Sequence, residues 1–436
     1  MNSEVRKQKI TQVINDKSNE RMTGVPFRYR GQPMSVSVYQ IPLEFLVYNK
    51  YNGRIAAEVL SYEKENGPLD PEHEDDIRLL EDFLYKSKED RNEATMKSLR
   101  QIGQQRYGII TADGIIIDGN RRAMLLNRLY HKREELKLTY KEVEQCKYFL
   151  AIVLPDSATE KDIQQLETIY QMGEDDKLDY DAIAKYLKCK RLKELGFSEA
   201  DIAEFMGMDR NSPKSITVIR ERLNILKLME EFLAEYEYDG IYTRLERTEG
   251  QFVDLYKYLE SYEKEKKNVA DSWNYSKSDI SDLKTICFDY IRARYEGKEF
   301  RDLAGTGLNG SIFFDENLWK SFLKEHQEKI SVRERSIQEL RESAPEMDLS
   351  ILLKRRDEEW SKQVKGCLEG NLRKHRFKLE NKRSKDKPLV LLERALSALR
   401  LIDMDQEEFL SDPKTPDLVK EIGDIAWQIK KKVDRR

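Results

Sequence analysis

The sequence predicts an α+β protein, with a small mixed α/β unit over residues 35–156 and a predominantly α-helical remainder. Three observations predict it. Residues 35–48, SVSVYQIPLEFLVY, open with the apolar–polar alternation of a strand at Val36, Val38 and Ile41. Residues 107–154 hold further short apolar runs, broken by Asp-Gly turns and ended by Pro155. After residue 157, proline and glycine become sparse and apolar residues recur every three or four positions, as in helices with one buried face.

In chain order, residues 1–34 read as a polar N-terminal arm. Pro42 starts a short helix after the first strand. Residues 65–76, ENGPLDPEHEDD, read as an exposed acidic loop. Residues 77–102 read as one helix, with Ile77, Leu80 and Leu84 on one stripe and Met96, Leu99 and Ile102 on the next. Ile109 and Ile110 suit a buried strand, Ala112-Asp113-Gly114 a tight turn, and Ile115 to Ile117 a second strand. Asp118-Gly119-Asn120 breaks that strand, and Arg121 onward reads as helix. Residues 148–154, YFLAIVL, complete the unit. The remainder divides into helical segments at 157–232, 233–320 and 321–436, the last interrupted at Pro413 and Pro416.

Charged residues make up 36% of the 436, and 77 basic against 81 acidic residues leave a net charge of -4. That balance argues against a uniformly basic DNA-wrapping protein but leaves room for local phosphate sites. No window approaches the ~18 consecutive apolar residues of a membrane helix, and the first residues lack the apolar core of a signal peptide. Cys146, Cys189, Cys287 and Cys367 are scattered, with no CxxC pair, which fits a reducing cytoplasm. No His or Cys spacing points to a metal site. Gly305–Gly310 matches GxGxxG literally, but it follows helix rather than strand and reads as a loop.

The sharpest chemical signal is the strand–DGNRR–helix junction at 118–122. A helix N-terminus carries unpaired N–H groups and partial positive charge. Gly119 permits close approach of backbone to an anion. Arg121 and Arg122 add guanidinium forks that match phosphate oxygens. The same residues also suit an ordinary helix N-cap with two solvated arginines.

Four stretches taken together, IPLEFLVYNKYNGR (41–54), MKSLRQIGQQRYGIIT (96–111), IIIDGNRRAMLLNRL (115–129) and FLAIVLPD (149–156), resemble the N-terminal domain of ParB partition proteins and sulfiredoxin. In that superfamily a strand leads into a phosphate-binding Gly-x-Arg-Arg-type element. The resemblance implies a ParB/sulfiredoxin-like nucleotide-binding domain, with Gly119, Asn120, Arg121 and Arg122 lining a phosphate site. It also implies that Gly103, Gln104 and Gln105 lie beside that site and that Arg54 reaches it. The ligand implied is a nucleoside triphosphate, CTP or ATP, with Mg2+. Where ParB carries Glu-Asn-x-x-Arg, this chain reads Glu167-Thr168 and then Gln171, so the acid is kept and its partners are not. Where sulfiredoxin carries its catalytic cysteine, the chain has Asn120 or Arg121. Asp118 and Glu167 are the candidate catalytic acids for an ATPase, CTPase or ParB-like nuclease.

Residues 195–228 add a helix-turn-helix-like pattern. Ser198 and Asp201 can box a first helix, Gly207 ends it, and Pro213 can open a second. The resemblance to ParB's motif puts Lys214, Ser215, Thr217 and Arg220 towards DNA. The turn is several residues longer than usual, and two bundle helices would read alike. Upstream, KYLKCKRLK (185–193) offers Lys188, Lys190 and Arg191 as phosphate contacts or as a plain exposed face. Residues 362–387 hold ten basic residues against three acidic ones, with Arg373, Lys374 and Arg376 around Phe377. Such a helix suits a phosphate backbone, a solvated surface or a protein partner.

The expectation is a ParB-like, nucleotide-responsive, cytoplasmic DNA-binding protein. The alternatives are a nucleotide-hydrolysing or nuclease-type enzyme on the same fold, as in defence or DNA-modification systems, and a helical scaffold with a degenerate nucleotide domain. Expected partners are DNA, a second copy in a homodimer, and a protein docking on the C-terminal helices, with no membrane.

Overall fold

The structure is a computed structural model, and it describes residues 1–172, 182–266, 269, 272–295, 297–307, 310–330, 334–383 and 388–434. The expected mixed α+β architecture is present. A five-stranded sheet in the order β1-β2-β5-β3-β4 occupies the N-terminal part, and helices make up most of the rest. The strands are β1 (Glu20–Tyr29), β2 (Gln32–Pro42), β3 (Gly108–Ile110), β4 (Ile116–Asp118) and β5 (Tyr148–Val153). All neighbours pair antiparallel except β3 and β5, which run parallel.

Strand alternation splits the core between the two faces of the sheet. Ile41, Ile110, Ile116, Phe149 and Ala151 face one apolar cluster, and Val38, Ile109, Ile117 and Ile152 face the other. The first is covered by α1 (Ser3–Asn15), α2 (Ala56–Asn66), α3 (Glu74–Lys86), α4 (Glu89–Ile102), α5 (Asn120–His131) and α6 (Tyr140–Cys146). The second is covered by α7 (Glu160–Met172), through Leu166 and Tyr170.

Two expectations change here. Residues 1–34 are not an arm. Ile10 of α1 is fully buried, Arg6 donates to the Asp113 carbonyl (2.8 Å) and pairs with Glu72 (2.9 Å), and β1 is an edge strand. The sequence hid β1 because Gly24 and Pro26 interrupt it, which an edge strand tolerates. The single helix over 77–102 is two helices, α3 and α4, parted at Ser87 and Lys88.

Asp162 ties β1 to α7. It accepts from Arg30 Nε (3.1 Å) and Nη2 (2.8 Å) and from the Thr159 amide (2.8 Å). The Arg30 guanidinium, more than the Thr159 cap, holds its carboxyl down at about 2 despite partial burial. An unfolded Asp titrates near ~3.9. The contact therefore stabilises the fold fully above that pH and is lost as pH falls towards 2. Urea unfolding between pH 5 and 2 is expected to show a shallower acid limb in Arg30→Ala than in wild type. Identical limbs would show that the contact contributes nothing.

Helices α8 (Ala182–Glu194), α9 (Glu199–Phe205) and α10 (Pro213–Glu235) share a small core of Cys189, Leu192, Phe197, Ile202, Ala203 and Ile219. The expected Ser198–Asp201 box caps α9, and Pro213 opens α10. Beyond them run α11 (Glu249–Glu263), α12 (Lys277–Arg292), α13 (Glu299–Ala304), α14 (Glu316–Ile330), α15 (Ile337–Ser343) and α16 (Leu349–Arg383). Buried Arg292 holds Glu334 and Asp357 there. Gly305 ends α13, and Leu308 and Asn309 of the literal GxGxxG lie outside the described residues. The chain forms two compact units, Met1–Leu372 and Arg373–Arg436, rather than dividing near residues 233 and 321. The second unit contains α17 (Pro388–Arg400), α18 (Glu407–Ser411) and α19 (Thr415–Val433). No described helix is long and apolar enough to cross a membrane.

Candidate functional site

β4 turns into α5 at Gly119, which adopts a left-handed φ of +102°. A Cβ there would lie 2.6 Å from Phe149 Cζ, so the position is closed to other residues on two counts. Gly119→Ala is expected to lower stability by about 1–3 kcal/mol in chemical denaturation. An unchanged midpoint would contradict the packing described. The first bond inside α5 runs from the Ala123 amide to the Gly119 carbonyl (2.9 Å). The amides of Asn120, Arg121 and Arg122 precede it at the positive end of the helix.

This helix start opens on a cleft of about 450 Å³. Of the residues singled out in the sequence, Arg54, Gln105, Asp118, Gly119, Asn120, Arg121 and Arg122 line it. Gln171, which stands where the ParB motif carries Arg, lines it too, as do Asn52, Thr95, Arg106, Tyr107 and Tyr170, of which local sequence gave no sign. Tyr170 stacks on Phe27 of β1 at 6.0 Å, so the strand first read as an arm buttresses the cleft wall.

The side chains divide between structure and recognition. Asn120 is buried; its Oδ1 accepts from the Asn49 amide (2.9 Å) and its Nδ2 donates to the Ile116 carbonyl (2.8 Å). It therefore fastens the 49–54 loop to the helix start. That loop is shaped by Asn49 and Asn52, whose side chains accept from the Tyr51 and Arg54 amides (3.0 Å each). Arg122 pairs with Asp118 (2.9 Å) and donates to the carbonyls of Arg106 and Tyr107, so it braces the wall.

Arg121 differs. Its Nη2 reaches only Thr95 Oγ1, at 3.4 Å, and its Nη1 is buried with no hydrogen-bond partner among the described residues. Burial, and then the positive charges of Arg54, Arg91 and Arg122, press its guanidinium below the ordinary arginine range. A buried charged donor without an acceptor is costly. An anion in the cleft would satisfy it and relieve the crowding of like charge.

Three residues fall elsewhere. Gly103 caps α4 with φ +72° and faces Gln145, not the cleft. Gln104 clamps β5, donating to the Leu150 carbonyl (2.9 Å) and accepting from the Leu150 amide (2.8 Å). It thereby lays Gln105–Tyr107 along the cleft edge. Glu167 is fully buried behind the 49–54 loop. It accepts from the Gly53 amide (2.9 Å) and pairs with Lys188 (2.8 Å), which also donates to Gln164 (2.8 Å).

That pairing corrects the expectation for Lys188, which is buried rather than on an outer basic face. Lys190 and Arg191 are half-buried, with Lys190 held by Glu230 (2.6 Å) and Arg191 by Glu160 and Glu194. On α10, Lys214, Thr217 and Arg220 are exposed and Ser215 is half-buried, all within its first two or three turns. Arg373, Lys374 and Arg376 lie exposed on α16, and Lys385 and Lys387 of the basic stretch fall outside the described residues.

Asp118 is the only carboxylate among the described residues lining the cleft, and Arg122 engages it. No described group of three or more His, Cys, Asp or Glu residues could hold a metal ion. Asp118 is thus the lining carboxylate that could meet a magnesium ion, which takes one or two carboxylates together with substrate phosphates. No family model, no curated protein and no solved structure matches the chain.

Proposed function

We propose that the chain is a nucleotide-responsive DNA-binding protein of the ParB-like class, taking the phosphates of a nucleoside triphosphate at the α5 start. The observation that carries this proposal is the buried Nη1 of Arg121, which has no hydrogen-bond partner among the described residues, at a helix N-terminus. Arg54 and Arg106 line the same cleft. Phosphate oxygens would accept from Arg121 and from the first amides of α5. Tyr107 and Tyr170 offer flat faces on which a base can stack.

DNA would meet Lys214 and Arg220 at the start of α10, the end of a recognition helix that contacts base edges in helix-turn-helix proteins. The two sites are bridged by a chain of bonds. Gly53 sits between the cleft residues Asn52 and Arg54. It donates to Glu167, which holds Lys188 of α8. α8 shares its core with α9 and α10. A ligand that repositions the 49–54 loop would therefore act on the DNA-binding helices. An enzymatic role has less support, because Glu167 is engaged on both carboxylate oxygens and is not among the cleft residues.

The test is fluorescence anisotropy of a labelled duplex across a salt series, with and without CTP or ATP. Affinity is expected to fall steeply with salt and to change at least several-fold when one nucleotide is added. DNA binding indifferent to every nucleotide, or no DNA binding at low salt, would overturn the proposal.

A further inference from the structure

α2, α8 and the 49–54 loop line a second cavity, of about 610 Å³. Its size is that of a site for a small organic molecule, and its lining has the composition of one, mostly apolar with a few placed charges. Tyr51, Ala56, Leu60, Ala184, Leu187 and Tyr242 supply the apolar surface. Leu60 is 37% and Tyr51 52% exposed, although both belong to the wall of a concave surface. The charges are unevenly matched. Lys50 pairs with Glu63 (2.8 Å), Lys188 with Glu167 (2.8 Å) and Lys190 with Glu230 (2.6 Å), and Arg191 is held by Glu160 and Glu194. Both acids of the lining, Glu63 and Glu194, thus have a cation. Lys64 lines the cavity with no ion pair among the described residues. Its stem lies over Gly240, where a Cβ would come within 3.4 Å of Lys64 Cγ and Cδ.

We infer that this cavity binds an amphipathic organic anion, a small molecule with an apolar chain or ring and one carboxylate-type group. The body would lie against Leu60, Leu187 and the Tyr51 ring, and the anionic group would meet the Lys64 ammonium at the exposed rim. The lysine stem suits this arrangement, because it covers apolar surface while its charge stays in water. A cationic ligand fits less well, since Glu63 and Glu194 already have their partners. A polyanion such as a nucleic-acid backbone fits less well too, since it draws its affinity from several free cations and Lys64 is one.

The cavity shares a wall with the cleft at the α5 start. Gly53 lines the cavity, and its neighbours Asn52 and Arg54 line the cleft. Lys188 and Gln164, which also line the cavity, hold the cluster around Glu167 to which the Gly53 amide donates. A ligand that fixes the 49–54 loop therefore changes affinity at the cleft, and a ligand in the cleft changes affinity for the anion by the same factor. That coupling rests on the nucleotide proposal; the anion site does not.

The experiment uses the full chain with decanoate as the probe and decyltrimethylammonium as its cationic counterpart. Hydrogen exchange read by mass spectrometry should show decanoate protecting residues 50–64 and 184–194. Isothermal titration should show saturable binding, tighter than that of decyltrimethylammonium. Leu60→Glu, at an exposed position, should weaken decanoate about tenfold or more and leave thermal unfolding unchanged. Lys64→Glu should reverse the preference between the two probes, and Lys64→Arg should keep it. Absence of protection in those two segments would overturn the inference. So would protection confined to residues 388–434, where many apolar side chains are exposed, or binding indifferent to both Leu60→Glu and Lys64→Glu. The coupling is read separately, as a change of about fivefold or more in decanoate affinity when the preferred nucleotide is saturating. Equal affinities with nucleotide bound would overturn the coupling, whereas failure of every nucleotide to bind would overturn the nucleotide proposal and leave the decanoate result to decide the anion site.

Discussion

Lys188→Ala is expected to lower unfolding stability by about 3–5 kcal/mol, because it strands a buried carboxylate. Glu167 is fully buried, and the Lys188 ammonium is the only cation paired with it among the described residues. The Gly53 amide and Gln164 complete the cluster but carry no charge. The paired substitution Glu167→Gln with Lys188→Met should recover much of the loss. It removes both charges, and Gln keeps an acceptor for Gly53. Urea unfolding of the three proteins gives the comparison. A Lys188→Ala loss below about 1 kcal/mol, the range of exposed pairs, would mean that the pair is solvated rather than buried. The double variant has a second use. If the bridge carries communication, it should bind nucleotide about as well as wild type yet show a weaker nucleotide effect on DNA affinity.

The same pair shows where sequence reasoning stops. KYLKCKRLK looks like an exposed basic run, and Lys190 and Arg191 do reach the outside. Lys188 follows Ala184 and Leu187 by four and one positions, on the stripe that helical periodicity buries. Its partner Glu167 lies on another helix, α7, and nothing local announces the match. The Asp118–Arg122 junction is legible for the opposite reason. Strand, Asp118-Gly119, two arginines and helix are contiguous, and each residue type has a local reason to be there. Arg54 and Gln105 came from the family resemblance, and both line the cleft. Thr95, Arg106 and Tyr170 are assembled there by packing, so only the folded chain could reveal them.

The resemblance also missed in an instructive way. Gly103 and Gln104 lie beside the expected segment, but their requirements are structural. One ends α4 in a left-handed conformation, and the other replaces a strand neighbour by bonding both backbone groups of Leu150. β1 within residues 1–34 is hidden in the sequence because an edge strand with a glycine and a proline lacks the apolar alternation of a central one.

The central claim is that the cleft at the start of α5 binds nucleotide phosphate through Arg121. Isothermal titration of CTP, ATP, GTP and UTP into wild type and Arg121→Ala tests it most directly. A charge-assisted hydrogen bond contributes about 1.5–3 kcal/mol, so Arg121→Ala should weaken the preferred nucleotide about 10- to 100-fold. Because that guanidinium is crowded by like charge and its Nη1 lacks an acceptor among the described residues, the variant should unfold no earlier than wild type without nucleotide. Saturable binding of at least one nucleotide, weakened by that factor in a variant of undiminished stability, is the predicted result. No binding by any of the four, or equal affinity in wild type and Arg121→Ala, would contradict it.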